Sequence, residues 1–204
     1  MDIYRCEVGQ MKANCFIIAD SSGEAIIIDP GDDADYIIST IQRNDLNPQL
    51  IIATHGHVDH VMATLEIKLA FAIPFYMHEL DEFLLDRMEK SAQHFLGFDP
   101  GPPADVDFYL EGGSKVNVGD IELEVINIPG HTPGSIALYN RASKDIFVGD
   151  LIFDDGSVGR TDFAYSDKSS MLTSIRHIVE MKPHITVHAG HGDDFLLSEF
   201  QTLK

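Results

Sequence analysis

Thr54-His55-Gly56-His57-Val58-Asp59-His60 follows directly on the apolar run Leu50-Ile51-Ile52-Ala53. The run reads as a buried strand, and Gly56 opens the turn after it. Residues 55, 57 and 59 leave the strand alternately and can be turned towards one pocket. His60 reaches that pocket from the start of a helix. A close pair of histidines is ordinary in a chain with ten of them. H-x-H-x-D-H, with His55, His57, Asp59 and His60 in six positions, has few uses other than holding a divalent metal.

Three more places end an apolar strand in a His or Asp beside Gly. His131 lies in Pro129-Gly130-His131-Thr132-Pro133-Gly134-Ser135, after Ile126 to Ile128. Asp150 follows Gly149, after Ile146-Phe147-Val148. His191 sits in Ala189-Gly190-His191-Gly192, after Ile185 to His188. Glycine beside a ligand lets the backbone pass close to a metal, and loops after strands are where α/β proteins place their chemistry. The seven candidates exceed what one tetrahedral zinc takes and suit two cations with a carboxylate and a water between them.

Strands and helices alternate along the whole chain. Strands are expected at Cys15–Ala19, Ala25–Asp29, Ile73–Met77, Ile121–Ile128, Ser135–Tyr139, Asp145–Val148 and His184–His188. Helices are expected from Asp32 or Asp33 (as cap) to about Arg43, from His60 to Phe71, from Glu79 to Ala92, from Ser169 to Met181 and from Phe195 to Leu203. Phe98 to Asp107, with three prolines, reads as a stiff loop that either borders a pocket or is a surface excursion. The alternation occurs twice, which points to two α/β halves with two sheets packed face to face and helices outside. One domain over residues 1–204 is the expectation for this length.

Composition excludes several functions. The formal charge is −19 with no Lys/Arg run, so nucleic-acid backbones and anionic membranes are disfavoured partners. No stretch approaches the roughly 20 apolar residues of a membrane span. The N-terminus has no basic-then-apolar pattern, and two cysteines, Cys6 and Cys15, make no disulfide framework, so a reducing cytoplasm is the expected compartment. Cys15 reads as a buried small hydrophobe. The remaining histidines, 78, 94, 177, 184 and 188, are not assigned to metal.

T-H-x-H-x-D-H, a strand-end G-H, a G-D and a final G-H-G, in that order, resemble the metallo-β-lactamase superfamily. The resemblance runs from Asp29-Pro30-Gly31 to His191 and implies a four-layer αβ/βα sandwich. Through Pro129 to Ser135 and Gly159-Arg160-Thr161-Asp162, the chain is similar to the glyoxalase II-like hydrolases. The resemblance implies one metal on His55, His57 and His131, a second on Asp59, His60 and His191, and Asp150 bridging them. Asp59 and Asp150 thereby serve as catalytic as well as ligating groups. Asp29, in the family-like Asp-Pro-Gly turn, either supports the ligands from behind or caps the turn, and Arg160, the cation close in sequence to the site, either holds an anionic substrate group or makes a structural salt bridge or loop hydrogen bond. The ions would be divalent, zinc foremost, with iron or manganese as substitutes. They lower the pKa of bound water from 15.7 to about 7, making a hydroxide that attacks a carbonyl. Ser135 lacks a nucleophile elbow and is rejected as a nucleophile.

The implied activity is hydrolysis of a thioester or similar small ester, with a small molecule as the partner. The alternative is a persulfide dioxygenase using a single iron on His55, His131 and Asp150. Two departures stand out. Ala189 replaces the usual Pro before the last G-H-G. The chain also ends thirteen residues after His191, so the C-terminal helical domain that binds glutathione in full-length glyoxalase II is expected to be absent.

Overall fold

The structure, a computed structural model, describes residues 1–181 and 184–200. The first sheet runs in chain order: β1 (Asp2–Val8), β2 (Ala13–Ala19), β3 (Glu24–Ile28), β4 (Asn47–Ile52), β5 (Phe75–Met77) and β6 (Phe108–Tyr109). Its first three strands pair antiparallel and the rest parallel. The second sheet runs β7 (Lys115–Val118), β8 (Ile121–Asn127), β9 (Ile136–Asn140), β10 (Asp145–Gly149), β11 (Thr186–Ala189) and β12 (Phe195–Leu196). It is antiparallel apart from the β10–β11 pair.

Period-two alternation sorts each central strand between two cores. In β2, Phe16 and Ile18 face the other sheet, where they meet Leu123, Val125, Ile136, Leu138 and Phe147. Cys15, Ile17 and Ala19 face outwards and are covered by α1 (Ala34–Arg43), α2 (Val58–Val61), α3 (Thr64–Phe71) and α5 (Met88–Phe95). Because both faces are buried, β2 and β3 read as continuous apolar runs. On the far side of the second sheet, Ala137, Ile146 and Val148 pack under Met171, Ile175 and Ile178 of α6 (Lys168–Val179). The layers are therefore helix, sheet, sheet, helix, and the αβ/βα sandwich is the observed fold.

Several expected elements differ in detail. The helix over 60–71 is two helices, α2 and α3, because the Ala63 amide bonds the Pro30 carbonyl at 3.0 Å rather than continuing the α2 ladder. The helix over 79–92 is a 3-10 turn (Glu79–Asp81) followed by α4 (Glu82–Leu85) and α5. Asp33 stands at the start of α1 but does not cap it. Its carboxylate accepts instead from the Gly9 amide at 2.8 Å. At the C-terminus, Phe195–Leu196 pairs with β11 and Leu197–Glu199 forms a 3-10 turn, where a helix to Leu203 was expected. Residues 201–203 of that expectation lie outside the described residues. Among the described residues, no helix is long and apolar enough to cross a membrane.

His188 ties three strands of the second sheet together. Its ring is buried and stacked on Phe147. Nε2 donates to Asp145 Oδ1 at 2.9 Å. Nδ1 lies 3.1 Å from Asp194 Oδ1 but too oblique for a hydrogen bond, so that contact is Coulombic. Burial opposes the imidazolium, but the two carboxylates outweigh it and raise the His188 pKa above its ordinary value of 6.5. A raised folded-state pKa gives stability that is complete below the unfolded value and is lost as pH rises through the folded one. Asp145 is held low, despite burial, by its bond to His188, so its share is lost only in acid. The melting temperature of the wild type should therefore fall relative to His188→Gln between pH 6 and pH 9. Parallel curves for the two proteins over that range would contradict this role.

Candidate metal centre

Loops from both sheets meet at one rim of the sandwich. β4 delivers His55 and His57, with Asp59 and His60 following on α2. His131 follows β8, Asp150 follows β10 and His191 follows β11. The seam between the sheets is held by backbone bonds from Ile136 N to Thr54 O (2.8 Å) and from Asn14 N to Gly190 O (2.7 Å), and within the second sheet Gly190 N bonds Gly149 O (2.8 Å). Close approach demands glycine at two of these points. A Cβ on Gly190 would fall 2.3 Å from Asp150 Oδ1, and one on Gly149 would fall 2.4 Å from Thr54 Oγ1.

The seven expected residues converge in two groups. His55, His57 and His131 bring one nitrogen each within 4.8 Å of one another, and Asp59, His60 and His191 do the same. Asp150 lies between the groups. Its Oδ2 is 3.6 Å from His131 Nε2, and its Oδ1 is 3.5 Å from His60 Nε2 and 3.7 Å from His191 Nε2.

Each imidazole is oriented by a bond on its other nitrogen. His131 Nδ1 donates to the Arg160 carbonyl (2.8 Å) and His191 Nδ1 to the Lys12 carbonyl (3.2 Å). His57 Nε2 pairs with the Tyr165 hydroxyl (2.8 Å). His60 Nδ1 donates to Asp29 Oδ2 (3.0 Å). His55 Nδ1 reaches Thr54 Oγ1 (3.1 Å), which itself donates to Asp29 Oδ2 (2.6 Å). Asp29, with positive φ at the end of β3, also accepts from the Thr54 amide at 2.6 Å. It therefore stands behind two of the histidines. A third convergence, of Asp29 with His55 and His60, is occupied by these bonds.

The donor set fits divalent cations. His55 Nε2 and Asp150 Oδ1 are buried with no hydrogen-bond partner, although each points among the other donors. Such orphaned atoms are costly unless a cation satisfies them. Imidazole nitrogen with carboxylate oxygen suits zinc, iron and related metals.

The electrostatics differ between the groups. Burial, then the neighbouring imidazoles, lower the His55 pKa, and burial followed by His131 pushes His57 down to about 3. These rings are neutral lone-pair donors. In the other group burial is outweighed. Asp59, Asp150 and the bond to Asp29 lift His60 to about 10, and Asp59 and Asp150 raise His191. Asp59 is held low, against burial, by His60 and His191. The second group thus strongly favours positive charge.

Two supporting residues escape a reading of the sequence. Asp81 is fully buried and accepts from the Gly56 amide (2.9 Å), the Gly134 amide (2.6 Å) and Thr132 Oγ1 (2.6 Å). It thereby clamps the His55–His57 loop to the His131 loop. Burial raises its pKa, with those bonds pulling the other way. Tyr165 is the second, stacked on Phe163 with ring centroids 5.2 Å apart.

A cleft of about 450 Å³ opens over the group, lined by His57, Asp59, His131, Asp150 and His191 together with Arg160 and several apolar side chains. The guanidinium of Arg160 is held in a fork by Asp162 at 2.9 and 2.8 Å. Phe98 to Asp107 contributes no residue to this cleft, and its Ala104 and Val106 pack on the helix-side core of the first sheet. Ser135 is buried, bonded to Thr132 and absent from the cleft lining.

Fold and site together define a metal-dependent hydrolase of the α/β-sandwich type. Residues 8–191 match the Metallo-beta-lactamase superfamily, and the chain belongs to it. Among its relatives, hydroxyacylglutathione hydrolase GloC of Haemophilus influenzae is 34% identical over 200 residues, covering 94% of this chain and 91% of the relative. The probable metallo-hydrolase YqgX of Bacillus subtilis is 32% identical, covering 93% and 90%. Of solved structures, BLEG-1 B3 metallo-beta-lactamase superposes with a TM-score of 0.91 at 29% identity, covering 97% and 95%. TTHA1623 in a di-iron-bound form superposes at 0.88 with 32% identity, covering 96% of each chain.

Proposed function

We propose that the protein is a dinuclear metal-dependent hydrolase of a thioester or similar small ester. The observation that carries this is Asp150, set between two complete three-residue groups with one carboxylate oxygen towards each. His55, His57 and His131 would hold one cation, and Asp59, His60 and His191 the other. Bound there, the cations supply Lewis acidity and a water that is nucleophilic at neutral pH. Asp59 lines the cleft floor, where its carboxylate would hold the second cation and accept a hydrogen bond from a water bound there. The cleft binds a small molecule beside that floor and excludes bulk water from it. The thioester choice is supported by the GloC relative and by Gly159-Arg160-Thr161-Asp162.

The test is metal identity and stoichiometry on native protein, together with hydrolysis of a panel of acyl thioesters. Two metals per chain and turnover are expected. A fully metallated protein inactive on every thioester would overturn the substrate. One iron per chain, with oxygen consumed in the presence of glutathione persulfide, would favour the dioxygenase instead.

Tyr165 gives a further check on the first metal position. Its hydroxyl orients His57 so that Nδ1 faces the other donors. Tyr165→Phe is expected to weaken metal binding there by about 10- to 100-fold and to leave the second position unchanged. Titration with a competing chelator reads both. Equal weakening at both positions would contradict the role.

A further inference from the structure

The cleft has an apolar lining and an acidic margin. Leu84, Phe95, Phe153, Val158, Phe163 and Tyr165 supply the apolar surface. Apart from the metal-facing set, its charged lining residues are Asp154, Asp155 and Arg160. Arg160, the one Lys or Arg among the lining residues, is already matched: Asp162 takes its fork, and its Cζ lies 4.6 Å from the centre of the Phe163 ring. The carboxylate of Asp154 packs against Gly192, beside His191. Neither Asp154 nor Asp155 has an ion-pair partner among the described residues.

These charges bear on the part of the substrate that does not react. Beyond the metal floor, where the non-reacting arm lies, an anionic arm meets two carboxylates without an ion-pair partner, and the Arg160 guanidinium is turned to Asp162. A neutral arm meets apolar and aromatic surface. A quaternary ammonium meets both the carboxylates and the aromatic faces, and each attracts it.

We infer that this site, taken as the thioesterase site proposed above, selects thioesters whose thiol arm is cationic or uncharged and discriminates against anionic thiols such as glutathione. In the reaction, water adds its oxygen to the acyl carbon and the carbon–sulfur bond breaks. The sulfur leaves with the bonding pair and takes up a proton, giving a carboxylic acid and a free thiol. Asp154, Asp155 and Asp162 are then specificity residues, the last by occupying Arg160.

The test uses the metal-loaded protein and one acyl group on three thiols: butyryl esters of thiocholine, N-acetylcysteamine and glutathione. The matching S-butyl thioethers, which cannot be hydrolysed, measure binding by calorimetry. Binding and kcat/KM are expected to be best for thiocholine and worst for glutathione. The extremes should differ by about tenfold or more at low salt, and by less as salt is added. The paired substitution D154N and D155N should narrow that gap to about threefold. Asp162→Asn should improve binding of the glutathione thioether by releasing Arg160. A glutathione thioether bound as tightly as the thiocholine one by the wild type would overturn the inference. Failure to hydrolyse any of the three esters would overturn the thioesterase reading, whatever the order of binding.

Discussion

Asp150→Ala is expected to strip metal from both positions and to lower kcat/KM by about 10³-fold or more. The size follows from the several kcal/mol that a metal supplies to such a reaction, at about 1.4 kcal/mol per factor of ten. The breadth follows from geometry. Asp150 alone among the seven has an oxygen within 3.6 Å of a nitrogen in each group. His57→Ala, by contrast, should empty the first position and spare much of the second. Cys15→Ala, at a fully buried position in β2, should keep both metals and cost stability through packing alone. Metal content of the three purified variants, measured alongside activity, decides the matter. Equal loss in all three, or full metal in Asp150→Ala, would refute the arrangement.

Asp81→Ala should be the most destabilising single change around the site, at about 3 kcal/mol or more. The carboxylate satisfies two buried amides and a buried hydroxyl, and each orphaned donor costs about 1–3 kcal/mol. The loss should also reach the metal. Gly56 and Gly134 belong to the loops carrying His57 and His131, so without the clamp the first group loses its spacing. Asp81→Asn keeps one acceptor oxygen and should recover part of the stability. Denaturant unfolding at fixed metal concentration gives the order wild type, Asn, Ala. An Ala variant as stable as wild type would contradict the clamp.

The seven candidate ligands were legible because each stands where two signals coincide. A ligating side chain follows an apolar run, and a glycine stands beside or close to it. β2, β3 and the second half of β4 were legible for a related reason: burial on both faces leaves the apolar runs Cys15–Ala19, Ala25–Ile28 and Leu50–Ile52. β1 was not, because its Arg5 and Glu7 face solvent and only Cys6 and Val8 are buried. Nor was β7, four residues long with Lys115 and Asn117 exposed. The break between α2 and α3 depends on the Pro30 carbonyl, which no local pattern announces. Asp81 sits in an acidic stretch that reads as a solvated helix face. Its partners lie 25 to 53 residues away, and the partner of Tyr165 lies 108 away. Such roles come from the third dimension alone.

Position 160 shows how such a scaffold can change its diet without changing its chemistry. The carbonyl of Arg160 is committed to His131 and so to the metal floor, whereas its side chain faces the cleft and Asp162. Any residue able to hold the same backbone keeps the floor intact. Drift at this side chain and its acidic partner therefore alters which molecules are accepted and leaves the reaction untouched. One residue serves two masters, and only one of them constrains its identity.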